Sequence, residues 1–216
     1  MLPTEAPSLT IYGQMQRGFD FLNQNLFAGT LPPVVLSLHR HPRTRGYFIE
    51  GKYRSKIPEA ALMERVTEEL DELALNPDLL LIRSDKDSLS TMAHEMVHEW
   101  ISHFSVAARR GHHCKRWAAR MKEIGLYPSS TGEVGGSETG SRVSHYIVAG
   151  GPFDRAADAL LATGFSFAWG SVAAPAASAK SGKRAKYTCS ECGTSVWGKE
   201  DINIVCGDCD EPMIVL

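Results

Sequence analysis

No stretch of this chain comes near the roughly 20 consecutive apolar residues that a membrane-spanning helix requires. The opening MLPTEAPSLT lacks the basic and apolar regions of a secretory leader, so a cytoplasmic protein is expected. Neither sign of charge prevails, since 23 basic against 25 acidic side chains give a formal net charge of -2. That balance excludes attachment to nucleic acid or anionic membrane by global charge and leaves only local patches. Cysteine is scarce and odd in number: of five, Cys114 stands alone and Cys189, Cys192, Cys206 and Cys209 gather near the end. An odd total containing two CxxC pairs argues against a disulfide framework and for metal binding in a reducing compartment. Internal repeats are also lacking.

What is present suffices for a packed core: 216 residues, 43% of them hydrophobic, suit one generous domain or a medium domain with a small module. Apolar residues at helical spacing (Leu9, Tyr12, Met15, Phe19, Leu22, Leu26) predict a first helix, with Ser8 as its cap and Gly29, Pro32 and Pro33 as its stop. VVLSLHR (34–40) and RGYFIEGKYRS (45–55) alternate like strands of one small sheet, and LDELALNP (70–77) offers a third short element. A helix capped by Ser88 or Ser90 should run to about Phe104, and another from Lys115 to Ile124. The segment 128–152, rich in Gly, Ser and Thr, reads as an ordered loop that could wall a cleft before a strand at 143–148, and 153–164 as a short helix. Residues 171–186, small, basic and aperiodic, read as a flexible linker. The expected division is therefore an α+β domain over 1–170, the linker, and a module over 187–216.

TMAHEMVHEW (91–100) carries the chemistry: His94 and His98 lie four apart, which stacks them on one helical face where both can reach a single metal ion. Glu95, about 100° around the helix, stands off the metal but beside its bound water. Zinc lowers the pKa of such water from roughly 15.7 to about 7, and the carboxylate moves protons, so the chemistry implied is amide hydrolysis. Ala93, Val97, Trp100, Ile101 and Phe104 form an adjoining apolar stripe, with Glu99 and Ser102 expected on the other side. A catalytic zinc needs a third protein ligand. RRGHHCKRW offers His112 and His113; His39, His41, His103, His145 and Cys114 compete.

The tail, YTCSECGTSVWGKEDINIVCGDC, separates its two CxxC pairs by 13 residues, room for a hairpin that brings four thiolates together. Four sulfurs close a tetrahedron and leave no open position, so this predicts a structural zinc ribbon, too small to fold without its metal. Gly193 and Gly207 suit the two knuckle turns. Lys180, Lys183, Arg184 and Lys186 precede it as candidate phosphate contacts, although the ribbon itself is acidic. Arg109, Arg110, Lys115, Arg116 and Arg120 make a second basic cluster beside the HExxH helix.

Taken together, LSTMAHEMVHEW, RRGHHCKRWAARMKEIGL, GGSETGSRVSHYI and the CxxC…CxxC tail resemble the SprT-like zinc metalloproteases, over about residues 10–209. The resemblance implies a minimal zincin fold and peptide-bond hydrolysis. It also implies His113, ahead of KRW, as third zinc ligand; His112 stands where relatives often carry an aromatic residue. Eukaryotic Spartan-type members cleave proteins crosslinked to DNA, whereas the arrangement here looks more like bacterial or phage members. His145 and Tyr146 are candidate oxyanion or substrate contacts.

The expectation is a zinc metalloendopeptidase with Glu95 as general base and acid. Its catalytic zinc would sit on His94, His98 and His113 and its structural zinc on Cys189, Cys192, Cys206 and Cys209, with DNA a candidate partner. The competing readings are a non-catalytic nucleic-acid or protein adaptor on the same scaffold, and a small-amide hydrolase.

Overall fold

The computed structural model describes residues 6–41, 44–56, 69–105, 112–172 and 184–215. They fall into two units that divide after Val172.

The first unit is built around one long helix. Helix α1 (Pro7–Leu26) starts from Ala6 rather than from a Ser8 cap, because Pro7 occupies its first turn, where a missing N–H costs nothing. Its Met15, Phe19, Leu22 and Leu26 are buried, while Leu9 and Tyr12, expected on the same face, are exposed. Strands β1 (Val35–Leu38), β2 (Gly46–Arg54) and β3 (Glu69–Leu75) form a sheet in the order β1-β3-β2. The third short element of the sequence reading is thus the central strand. β1 runs parallel to β3 and β2 antiparallel to it, which leaves β2 at an edge. The short helix α2 (Pro77–Leu80) is capped by Asn76, whose side-chain oxygen accepts from Asp78 N at 3.1 Å.

Helix α3 (Asp85–Phe104) begins earlier than expected, from Ser84: its hydroxyl accepts from Asp87 N at 3.1 Å and donates to the Asp87 carboxylate at 2.6 Å. Asp85 and Asp87 then sit in the first turn, where the helix dipole favours negative charge. The consequence is that Ser88 and Ser90 lie inside the helix and are buried. Indeed Ser88 to Val97 are all buried, because α1, β2, β3, α4 (Lys115–Glu123) and α5 (Pro152–Ala162) pack around α3. Glu99, expected on an open face, is fully buried with neither carboxylate oxygen hydrogen-bonded among the described residues. Burial, and then the nearby Asp71 carboxylate, push its pKa up to about 9, so it is held as the neutral acid.

Strands β4 (Leu126–Ser129) and β5 (Ser144–Ile147) pair antiparallel, and the Gly/Ser/Thr-rich segment between them is their connection. One continuous core runs through this unit, from Met15 and Phe19 through Leu73, Leu89, Met92 and Met96 to Trp117, Met121, Phe153 and Leu160. Each fully buried side chain of that size is worth on the order of 1.5–3 kcal/mol.

The second unit holds β6 (Arg184–Thr188), β7 (Ser195–Lys199) and β8 (Ile214–Val215) in the order β7-β6-β8. Arg184, Ala185 and Lys186, expected in the linker, are therefore strand residues paired with Lys199, Gly198 and Trp197. The rest of the expected linker from 173 on, Lys183 and Lys180 included, lies outside the described residues. Tyr187, Cys189, Cys206 and Met213 make a small core of their own.

Candidate metal centre

Helical periodicity sets His94 and His98 on one face of α3, with ring centroids 5.2 Å apart. His113 reaches them from the residue just before Cys114, the N-cap of α4, whose sulfur accepts from Trp117 N at 3.5 Å. One ligand nitrogen from each of His94, His98 and His113 lies within 4.8 Å of the others. Beneath them Trp117, completely buried, stacks on His98 and meets His94 and His113 edge-on, at 5.4, 4.9 and 4.4 Å. That indole is a floor that keeps three polar rings from sinking into the core.

The loop between β4 and β5 holds His113 through one residue. His113 and Gly140 exchange backbone hydrogen bonds, both at 3.1 Å, and His113 Nδ1 stands 3.0 Å from the Gly140 carbonyl. A carbonyl only accepts, so Nδ1 carries the proton and Nε2 is bare. Gly140 has φ of +134°, a backbone state that side-chain-bearing residues avoid.

Burial draws the His94 pKa well below the imidazole range, reinforced by His145, His98, His113 and Arg45. Burial, and then His113, bring His98 to about 3. Burial also lowers His113, against the opposing pull of its bond to Gly140. All three are neutral imidazoles near pH 7, the form that ligates metals. Glu95, 7% exposed and beside them, is pushed up to about 8 by burial.

The residues fit a zinc ion. His94 Nε2 and His113 Nε2 stand 3.3 Å apart. Two nitrogens bound at 2.0–2.1 Å with tetrahedral geometry are separated by about 3.3 Å. In the second unit Cys192 Sγ and Cys206 Sγ are 3.6 Å apart, close to the roughly 3.8 Å edge of a tetrahedron with 2.3 Å zinc–sulfur bonds. All four cysteines of that group are free thiols, with ligand atoms within 4.8 Å of one another. The first CxxC pair forms the turn of the β6–β7 hairpin, and the second a turn closed by the Val205–Pro212 bridge, so two turns rather than one hairpin unite the thiols.

A cleft of about 900 Å³ opens over the histidines, walled by residues 44–50 of and before the β2 edge on one side and by residues 141–145 on the other. Glu95, His94, His98 and His113 line its floor.

The other candidates go elsewhere. His112 borders the cleft but is exposed and outside the ligand group. His39 packs edge-on against Tyr47, and His103 pairs with Asp71 at 2.6 Å. His145 lies under the site with both ring nitrogens engaged, by His94 and Ser90, and Tyr146 stacks on Tyr127. Both nitrogens of His145 are thus committed within the protein, whereas the stacking of Tyr146 involves its ring and not its hydroxyl. In the basic cluster, Arg116 bonds the Phe104 carbonyl at the end of α3 and Arg120 the Leu26 carbonyl at the end of α1; both lie over Trp100. These contacts tie the ends of α3 and α1 to α4. Arg109 and Arg110 are outside the described residues. Gly140, Ser90 and Trp117 were not identified from the sequence as parts of the site; the glycine-rich composition of 128–152 was the one signal pointing toward Gly140.

An α+β protein with, among the described residues, two clusters of side chains able to hold a metal ion is what the fold and sites define. The SprT-like family model matches residues 15–134, more than half of the chain, and this chain belongs to the SprT-like family. The matched region contains His94, Glu95, His98 and His113 and ends before β5. An uncharacterized protein in the mucB 3′ region of Salmonella typhimurium is similar, 41% identical over 46 residues. That match covers 21% of this chain and 62% of the relative's length. No solved structure matches the chain.

Proposed function

We propose that this chain is a zinc-dependent endopeptidase, with a zincin catalytic domain over residues 1–170 and a structural zinc ribbon over 187–216. The observation that carries the reading is the convergence of three neutral imidazoles beside a buried carboxylate at the floor of an open cleft. His94, His98 and His113 would hold the catalytic zinc; Cys189, Cys192, Cys206 and Cys209 the structural one. Bound there, zinc supplies polarisation of a carbonyl and acidification of water. Glu95 takes a proton from the nucleophile and returns it to the leaving amine; its burial makes it a stronger base than an exposed carboxylate. The β2 edge, with no strand on its outer side among the described residues, offers backbone groups to an extended peptide. A cleft flanked by that strand edge suits an extended polypeptide better than a small amide. Cytoplasmic, DNA-associated proteins are the substrates proposed, on the family's behaviour.

One observation favours the alternative, a nucleic-acid adaptor. Trp197 is 67% exposed and sits across the ladder from Lys186, which pairs a stacking platform for a base with a phosphate contact. A buried Glu95 beside the ligands weighs against an adaptor, which needs the ligands alone.

The test is cleavage of an unstructured protein by wild type and Glu95→Gln, with and without single-stranded DNA. Wild-type cleavage lost by roughly 100-fold or more in Glu95→Gln, at unchanged zinc content, is expected. Absence of cleavage alongside tight DNA binding that Trp197→Ala abolishes would favour the adaptor.

A further inference from the structure

Beside the ligand cluster, where His145 also borders the cleft, a chain of hydrogen bonds links β5 to α3. His145 of β5 places Nδ1 3.0 Å from His94 Nδ1 and Nε2 2.9 Å from Ser90 Oγ. Ser90 Oγ in turn stands 2.8 Å from the Asp87 carbonyl oxygen, one turn back along α3. His145 is 8% exposed and Ser90 2%, so both are largely withdrawn from bulk water.

We infer that Ser90 and His145 are positioning residues that fix the tautomer and orientation of His94, so that its bare Nε2 faces the metal; this rests on the metal-site reading above. The direction follows from the end of the chain. The Asp87 carbonyl can only accept, which commits the Ser90 hydroxyl proton to it. Ser90 Oγ therefore meets His145 Nε2 with a lone pair, and Nε2 must donate. A neutral imidazole carries one proton, so His145 Nδ1 is bare and accepts from His94 Nδ1. His94 Nε2 is then bare as well, and it faces the bare Nε2 of His113 at 3.3 Å. Two lone pairs at that distance in a buried site repel unless a cation lies between them. The opposite direction would pull the Ser90 proton off its carbonyl.

Two independent devices thus aim two ligands: the Gly140 carbonyl for His113, and the Asp87–Ser90–His145 chain for His94. Both are uncharged acceptors, unlike the carboxylates that often back zinc histidines, so neither offsets the positive charge of the ion.

The test uses the full, zinc-loaded chain. Zinc affinity at the histidine site is measured by chelator competition, with the ribbon zinc counted separately as an internal check on folding. His145→Phe should weaken binding roughly 10- to 100-fold, as loss of such supporting partners does. His145→Asn, whose amide oxygen can stand near the position of Nδ1, should recover most of that loss. Long-range proton–nitrogen spectra of the wild type should show His145 protonated on Nε2. Protonation on Nδ1 would overturn the inference, and so would a His145→Phe affinity within about twofold of wild type while His94→Ala loses one zinc. Retention of both zincs by His94→Ala would instead overturn the metal-site reading itself. If His145→Phe fails to fold, the Asn variant and the wild-type spectrum still decide.

Discussion

Gly140 grips His113 at three points: a pair of backbone hydrogen bonds at 3.1 Å and the Nδ1 contact at 3.0 Å. No heavy atom of the described residues lies within 4 Å of where a Gly140 Cβ would stand, so a side chain there has room but the wrong backbone, φ of +134°. Gly140→Ala is expected to cost about 1–3 kcal/mol of strain, relieved by letting the loop shift. The shift would release His113 and weaken zinc at the histidine site while leaving the ribbon zinc in place. Metal retained after a graded chelator challenge measures it, and unchanged retention at both sites would contradict the role given to the loop.

Stoichiometry separates the two adjacent histidines. Wild type should carry two zincs per chain, His113→Ala one and His112→Ala two, because His112 is exposed and outside the ligand group. Elemental analysis of the purified proteins gives the answer directly. One zinc in His112→Ala with two in His113→Ala would reverse the assignment.

What could be read from the sequence is what neighbours in the chain encode. Spacing of four places His94 and His98 on one face whatever surrounds them, and two CxxC pairs bring thiols together through local turns. The alternating runs 34–40 and 45–55 are strands for a similarly local reason, the β-branched and aromatic content of a half-buried pleat. Contacts between distant segments were not legible. Gly140 is 27 residues from His113, and His145 is 51 from His94, so nothing in either neighbourhood announces the pairing. The start of α3 was displaced for another reason: Asp85, Lys86 and Asp87 look like a polar loop, yet acidic residues belong in a first turn capped by Ser84. Glu99 misled the amphipathic reading because α3 is enclosed on almost every side.

Glu72, on the central strand of the three-stranded sheet, carries a pH-dependent contribution. Burial pushes Glu72 up, but hydrogen bonds from Tyr53, Tyr47 and Ser37, with Lys52 nearby, outweigh it and hold the carboxyl below its usual range. A carboxylate pKa lowered by folding stabilises the protein above the unfolded value, and that stabilisation disappears as pH falls through the folded one. Tyr53→Phe removes a donor at 2.8 Å and should cost about 1.5–3 kcal/mol at pH 7, as hydrogen bonds to charged groups do. The difference between the two proteins should shrink as pH falls below the ordinary glutamate range and through the lowered value of the folded state, where the carboxyl protonates in both. Denaturant titrations of the pair at each pH measure it, and taking the difference removes the metal loss common to both in acid. A cost independent of pH would mean that Tyr53 acts by packing alone.

The two cysteine knuckles are built alike, and the likeness predicts unequal substitutions. Cys189 N donates to the Thr194 carbonyl and Gly193 N to the Cys189 carbonyl; Cys206 N donates to Glu211 and Asp210 N to Cys206. The fourth position after each first cysteine is left-handed, with φ of 72° at Gly193 and 57° at Asp210. Gly207, expected to serve the second turn, has no positive φ, so the requirement falls on Asp210 instead. Gly193→Ala should destabilise the ribbon by about 1–2 kcal/mol from backbone conformation alone, since none of the described residues comes within 4 Å of where its methyl group would stand. Asp210→Gly should be neutral or stabilising, because glycine removes the steric cost that Asp bears there. Zinc release from the ribbon under chelator, with the histidine site as internal reference, reads both. Equal effects of the two substitutions would mean that contacts of the side chains, not the shared turn geometry, set ribbon stability.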